Sequence, residues 1–168
     1  EAKKEIHALF GKTNAFETPK PERLLNRILH IATNPGDLVL DSFLGTGTTA
    51  AVAHKMGRRY IGIEMEEHCY SLCLERLKAV IDGEQGGVSS SLNWHGGGGL
   101  KFYELADSLL VKNPKLPIYQ INASYTFEMI AEAICKIEGF KYMKLGEYHG
   151  ISSENRFIHI TQEFVNVK

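Results

Sequence analysis

The chain has 168 residues, room for one domain of ordinary size or one domain with a small appendage. Its 19 Lys and Arg against 20 Asp and Glu give no overall electrostatic footprint for nucleic acid or an anionic membrane, so a DNA-acting protein of this kind needs its basic surface elsewhere. No apolar run approaches the ~20 residues of a membrane span, no signal peptide opens the sequence, and three cysteines cannot all pair, so a reduced, cytoplasmic protein with no membrane partner is expected.

Residue 1 is Glu rather than Met, and the expectation is a chain processed or cut from something longer. Residues 1–17 carry little signal beyond Ile6, Leu9 and Phe10, which could pack on a neighbour. Pro21 suits a first helical position, and Leu24, Leu25, Ile28, Leu29 and Ala32 then recur at helical spacing. Asn34-Pro35-Gly36-Asp37 reads as a turn, with Pro preset for its second position and Gly able to take positive φ at its third. Leu38-Val39-Leu40 follows as a short buried strand.

Thr48 to Met56 then reads as a helix stopped by Gly57, and Tyr60-Ile61-Gly62-Ile63 as a second strand. From Glu66, apolar residues at Cys69, Leu72, Cys73, Leu77, Val80 and Ile81 mark an amphipathic helix of about four turns. Strand, helix, strand and helix at this spacing predict parallel strands with a right-handed crossover. Cys69 and Cys73 more simply share one core face than bind zinc, since no second ligand pair accompanies them, and no metal is expected. The Gly- and Ser-rich stretch from Asp82 to Gly99 reads as a linker anchored by Trp94. Beyond it the pattern predicts a strand at Lys101–Leu105, a helix from about Thr126 to Glu138 closed by Gly139, and strands at Phe157–Thr161 and Phe164–Val167, together a small α+β appendage.

Gly45-Thr46-Gly47-Thr48-Thr49-Ala50 satisfies GxGxxG/A, and Glu64 falls about 20 residues after the first glycine. Alone, the match is weak. The residues before it discriminate better, because Asp41 ends the strand and Ser42-Phe43-Leu44 lengthen the turn, whereas an NAD loop turns on glycine directly after the strand to meet a pyrophosphate. S-adenosylmethionine has no pyrophosphate. It needs close backbone approach, an acid near its positive end and an acid for its ribose hydroxyls. Each residue also has a plainer reading: Gly45 and Gly47 as a tight turn, Asp41 as a helix cap, Glu64 as a solvated strand end, Phe43 as core, Gly62 as a close-packing position, and Thr48 and Thr49 as helix-start hydroxyls.

Thr18–Leu25 (TPKPERLL), Asp41–Ala50 (DSFLGTGTTA) and Gly62–Glu64 (GIE) resemble motifs X, I and II of the amino-methyltransferases that modify exocyclic amines in DNA, in the order of the β class. NWHGGGGLKFYELADSLL and YTFEMIAEAICKIEGF further resemble the C-terminal portion of the Mod subunits of type III restriction-modification systems. The resemblance implies that Thr18, Lys20 and Pro21 line the methionine end of the cofactor. It implies that Asp41, Ser42, Phe43, Gly45, Gly47, Thr48 and Thr49 belong to the motif I pocket, and that Glu64 binds the ribose. The catalytic Asp/Asn/Ser-Pro-Pro-aromatic segment of such enzymes precedes motif X. This sequence has prolines only at 19, 21, 35, 114 and 117, so no Pro-Pro pair occurs and no residue is assigned a catalytic role.

The expected fold is therefore α/β: half of a Rossmann-like S-adenosylmethionine-dependent methyltransferase sheet with a small α+β C-terminal domain. Its expected divisions are an N-terminal segment 1–17, a cofactor-binding part 18–81, a linker 82–99 and a C-terminal domain 100–168. The expected function is that of the cofactor-binding C-terminal portion of a site-specific DNA adenine N6-methyltransferase, inactive by itself, whose intact system contains DNA, a second Mod subunit and a restriction subunit as partners. Rival readings are a cytosine-N4 methyltransferase fragment, an NAD-binding oxidoreductase fragment, and a non-catalytic assembly module built on residues 94–168. In the family's sheet the strand at Leu38–Asp41 is central, so the chain is expected to self-associate, to recruit residues 1–17 as a cover, or to fold its C-terminal domain over the open edge.

Overall fold

The computed structural model describes residues 2–11 and 19–163. The chain forms two compact units, residues 1–103 and 104–168.

The first unit opens with α1 (Ala2–Phe10), which buries Ile6 and receives the Glu22 amide on the Glu5 carboxylate at 3.1 Å. Pro21 stands in extended conformation immediately before α2 (Glu22–Ala32), where its missing N–H costs the helix nothing. α2 ends at Thr33, whose amide and hydroxyl both donate to the Leu29 carbonyl. The Asn34–Asp37 turn closes by an Asp37 N–H to Asn34 carbonyl bond of 3.1 Å, with Gly36 at φ 86° as the turn requires. β1 (Leu38–Asp41) and β2 (Arg59–Gly62) then pair in parallel, Leu38 with Arg59 through Asp41 with Gly62. α3 (Thr48–Lys55) connects them, and its near-continuous row of small residues, Ala50 to Ala53, is buried.

The predicted helix from Glu66 forms as a π-helical segment, Cys69–Leu74, running into α4 (Glu75–Ile81). Leu44, Ala50, Ala51, Cys73, Leu77 and Val80 make one core; Leu29, Val52, Ala53 and Val88 make a second. Val39 and Tyr60 pack against the second, so this side of the two strands is covered. α1 meets the start of α2, and Leu38 and Leu40 on the other side of β1 remain exposed.

The stretch 82–99, expected as a linker, is folded onto this unit instead. Val88 and Ser89 are buried, and Trp94 Nε1 donates to the Val80 carbonyl at 2.8 Å. The glycines serve close backbone approach rather than flexibility: a Cβ on Gly83 would lie 2.7 Å from the His95 carbonyl oxygen, and one on Gly96 would lie 2.7 Å from that of Ile81.

No strand forms at the expected Lys101–Leu105; the first strand of the second unit is β3 (Leu110–Lys112), antiparallel to β4 (Tyr119–Ile121). Asn113 Oδ1 accepts the amides of Lys115 and Leu116 and shapes the connection. α5 (Phe127–Ile137) is capped by Thr126, whose hydroxyl accepts from Met129, and ends before Gly139 at φ 76°. It packs Ala131 and Cys135 against Ile160, with Tyr142 and Ile158 alongside. The sheet beneath is β5 (Lys141–Leu145), β6 (Tyr148–Ile151) and β7 (Phe157–Ile158), all antiparallel. β5 and β6 were not anticipated, β7 is shorter than the expected Phe157–Thr161, and the expected strand at Phe164–Val167 lies outside the described residues.

Candidate functional site

Asp41 and Gly62 end the two parallel strands side by side, and the ladder extends one step further as Ile63 N–H donates to the Asp41 carbonyl and Leu44 N–H to that of Ile63. The chain then turns tightly, closing Leu44 to Gly47 with a 3.0 Å backbone bond. Gly45 and Gly47 stand at φ 58° and 77°, a region in which most L side chains are strained, so both positions favour glycine. Gly47 caps α3 through its backbone, and no side chain caps that helix. Asp41 is thereby excluded as the cap; its Oδ1 accepts the Phe43 amide at 3.1 Å instead. Gly62 admits Leu44, whose Cδ2 would lie 2.5 Å from an added Cβ.

Glu64 faces the turn. One carboxylate oxygen accepts the Gly45 amide at 2.7 Å, and the other accepts those of Met65 at 2.8 Å and Glu66 at 3.0 Å, while His68 Nε2 lies 3.4 Å away. Burial pushes its pKa up, but the amides of Glu66, Gly45 and Met65, together with His68, outweigh that and hold it below its ordinary value. The acid is held ionised and in one orientation, so it is not a solvated strand end.

The other expected residues divide clearly. Ser42 and Lys20 are exposed, and Pro21 and Thr49 are half-buried. Phe43 is 89% exposed, which excludes it from the core. Thr48 is buried, and its hydroxyl is engaged by Arg76 Nη1 at 2.8 Å, by Thr46 and by the Lys20 carbonyl at 3.3 Å. Thr18 lies outside the described residues. Cys73 donates to the Gly45 carbonyl beneath the turn, and burial first, then Cys69 and Glu64, push its thiol up to about 12, leaving it an inert packing group.

Several residues of the site escape sequence reading. Met65, 90% exposed beside Glu64, is an apolar side chain presented at the strand ends as Phe43 is. Beneath the turn lies a buried charge network: Lys55 Nζ sits 2.7 Å from Glu22 Oε2 and also pairs with Glu84, and Arg76 Nη2 lies 3.8 Å from Glu22 Oε1. These charges do leave a signal. Glu22, Lys55 and Arg76 each sit three or four residues from apolar members of their own helices, such as Leu25, Val52 and Leu72, and so interrupt an apolar stripe. Away from the strand ends, a cleft of 510 Å³ opens among Lys4, Glu5, Glu22, Glu84 and Gly86. Among the described residues, no group of three or more His, Cys, Asp or Glu could hold a metal ion, and no helix is long and apolar enough to cross a membrane.

The geometry at the ends of β1 and β2 coincides with a sequence match. Residues 1–75 match the family model described as DNA methylase. This segment belongs to the DNA methylase family. Over 139 residues, 82% of the chain, it is 46% identical to the probable type III restriction-modification enzyme HindVI Mod subunit of Haemophilus influenzae. It is also 47% identical over 66 residues to the type II methyltransferase M.HinfI of the same species, and 48% identical over 62 residues to the type II methyltransferase M2.DpnII of Streptococcus pneumoniae. These alignments take in 39% and 37% of the chain. The matched portions span 18%, 18% and 23% of those relatives, about a fifth of their length. Among solved structures, the M1.HpyAVI–SAM complex aligns with 37% of the chain and 31% of its own, at 39% identity and a TM-score of 0.35.

Proposed function

We propose that the chain is the S-adenosylmethionine-binding portion of a type III Mod subunit, a protein that in full is a site-specific DNA adenine N6-methyltransferase working on DNA with a second Mod subunit and a restriction subunit. In this reading β1 and β2 are two strands of a Rossmann-like sheet, residues 18–81 bind the cofactor and residues 104–168 are the C-terminal domain. The observation that carries it is the meeting of the Asp41–Gly47 turn and the fixed Glu64 carboxylate at the ends of two parallel strands, where open α/β sheets bind ligands.

The residues fit that ligand. Glu64, ionised and aimed by three amides, retains acceptor capacity for ribose hydroxyls. Gly45 carries no Cβ, so a ligand can approach its backbone, whereas a Cβ on Gly47 would meet Cys73 beneath the turn at 3.4 Å. Phe43 and Met65 offer apolar surface to a flat base, and Asp41 offers a carboxylate to a cationic centre. Ser42 and Thr49 border the same turn, and Lys20 and Pro21, with Thr18 before them, serve the methionine end; Thr48 contributes through the turn it holds. When bound, S-adenosylmethionine supplies an activated methyl group. The flipped adenine would be gripped by a Pro-Pro-aromatic segment, and this sequence contains no Pro-Pro pair.

Calorimetric titration of the chain with S-adenosylmethionine, S-adenosylhomocysteine and NAD tests the reading. Saturable binding of either sulfur compound, with NAD weaker, is expected. Binding of NAD alone, or of none of the three, overturns it.

A further inference from the structure

Arg76 is fully buried in the apolar stripe of α4, between Cys73 and Leu77. Its Nη1 points at three oxygens of the glycine turn: the Thr46 carbonyl at 3.1 Å, the Thr46 hydroxyl at 3.2 Å and the Thr48 hydroxyl at 2.8 Å. The Thr48 hydroxyl donates to the Lys20 carbonyl, so it accepts from both Arg76 and Thr46. The other terminal nitrogen of Arg76 faces Glu22, two residues after Lys20, and Glu22 is itself fixed by Lys55 and by the Val88 amide at 3.0 Å. One planar cation therefore spans the underside of the turn and the start of α2.

A leucine or methionine in that stripe would avoid the cost of desolvating a guanidinium. What arginine provides and an apolar residue cannot is a planar group that aims one nitrogen, Nη1, at all three oxygens, while Nε and Nη2 are buried with no hydrogen-bond partner among the described residues. Thr46 lies between two glycines of positive φ, outside any strand or helix, and Arg76 is the group that holds its carbonyl.

We propose that Arg76 is a positioning residue of the cofactor site: it fixes the Gly45–Gly47 turn against the Lys20–Glu22 segment without touching the ligand. The role rests on the reading of that turn as the cofactor's cradle, and the test separates the two. Amide hydrogen exchange of the unliganded chain is compared for wild type, Arg76→Lys, Thr48→Val and the double variant, with S-adenosylhomocysteine affinity measured by calorimetry on each.

Arg76→Lys keeps a charge for Glu22 but loses the planar group that aims Nη1 at the turn. It should speed exchange at Gly45 and Gly47 at least about tenfold while Val52 and Ala53 in α3 are unchanged, and should weaken affinity about tenfold, the loss of roughly one charge-assisted hydrogen bond. The double variant should bind no more than about twofold worse than the poorer single variant, since both changes cut one connection. Unchanged exchange at the turn, exchange raised uniformly through the unit, additive effects, or a loosened turn with wild-type affinity each overturn the role. Should Arg76→Lys fail to fold, Thr48→Val decides by the same two amides: faster exchange supports the role, unchanged exchange overturns it. A wild-type chain that binds no S-adenosylhomocysteine defeats the cofactor reading, and the exchange arm still decides whether Arg76 holds the turn.

Discussion

Glu64 shows how little of a site need be side chain. Its carboxylate is oriented by three amides, and the amide of Gly45 reaches it because glycine permits the positive φ of the turn. Glu64→Gln preserves the shape but replaces one charged acceptor oxygen with an amide donor that faces N–H groups. It should weaken S-adenosylhomocysteine binding by about 1–3 kcal/mol, read by calorimetry at neutral pH. The same substitution tests the acid's part in stability. Its folded pKa lies below its ordinary value, so its ionised form contributes stability that is fully present above about pH 5 and is lost as the pH falls through the folded value. Thermal melts of wild type and Glu64→Gln should therefore differ most at neutral pH and converge on acidification. A gap that stays constant down to about pH 3 would mean that the carboxylate's charge does not contribute.

At the scale of elements, α2, α3 and α4 meet through charges as well as through Val52 and Val80. Lys55, at the last turn of α3, sits between Glu22 and Glu84, and its side chain is fully buried. Lys55→Met leaves Glu84 without its cation and Glu22 with only the more distant Arg76, and the cost should be about 3–5 kcal/mol in urea unfolding at neutral pH. A loss below about 1 kcal/mol would show that the network adjusts or protonates at little cost. The strands and helices of the first unit were legible in the sequence because their signals are local: Leu38–Leu40 is a short apolar run, Gly57 stops α3 at φ 72°, and Asn34–Asp37 spells its turn. The linker reading failed because the close approach of Gly83 to Gly96 is a property of two segments brought together, invisible in either alone. β5 was missed because Lys141 and Lys144 dilute its apolar residues, and only Tyr142 faces the core of the second unit. Of the site, the turn and Glu64 were legible as motif. Arg76 was not, since nothing short of the fold says which oxygens a buried guanidinium will meet.

Taken whole, the molecule carries a parallel sheet covered on one side. Val39 and Tyr60 face the core, whereas Leu38, Leu40 and Ile61 on the other face are 51%, 64% and 49% exposed, and the register sets Leu40 directly beside Ile61. Parallel strands elsewhere are buried on both faces, and an apolar face beside unpaired strand edges invites another surface. Among the described residues of the first unit, α1 packs at Glu22, and Leu38 and Leu40 stay open. The chain alone should therefore self-associate, with a scattering mass that rises with concentration. Leu40→Lys with Ile61→Lys should move the association midpoint at least about tenfold toward higher concentration, because each lysine would have to be desolvated in the contact. Both positions are already half open to water, so the substitutions should leave the thermal midpoint close to that of wild type. A wild-type chain that remains monomeric at millimolar concentration, or a double variant that associates as strongly as wild type, would show that this face is tolerated in water and that association, if any, uses another surface.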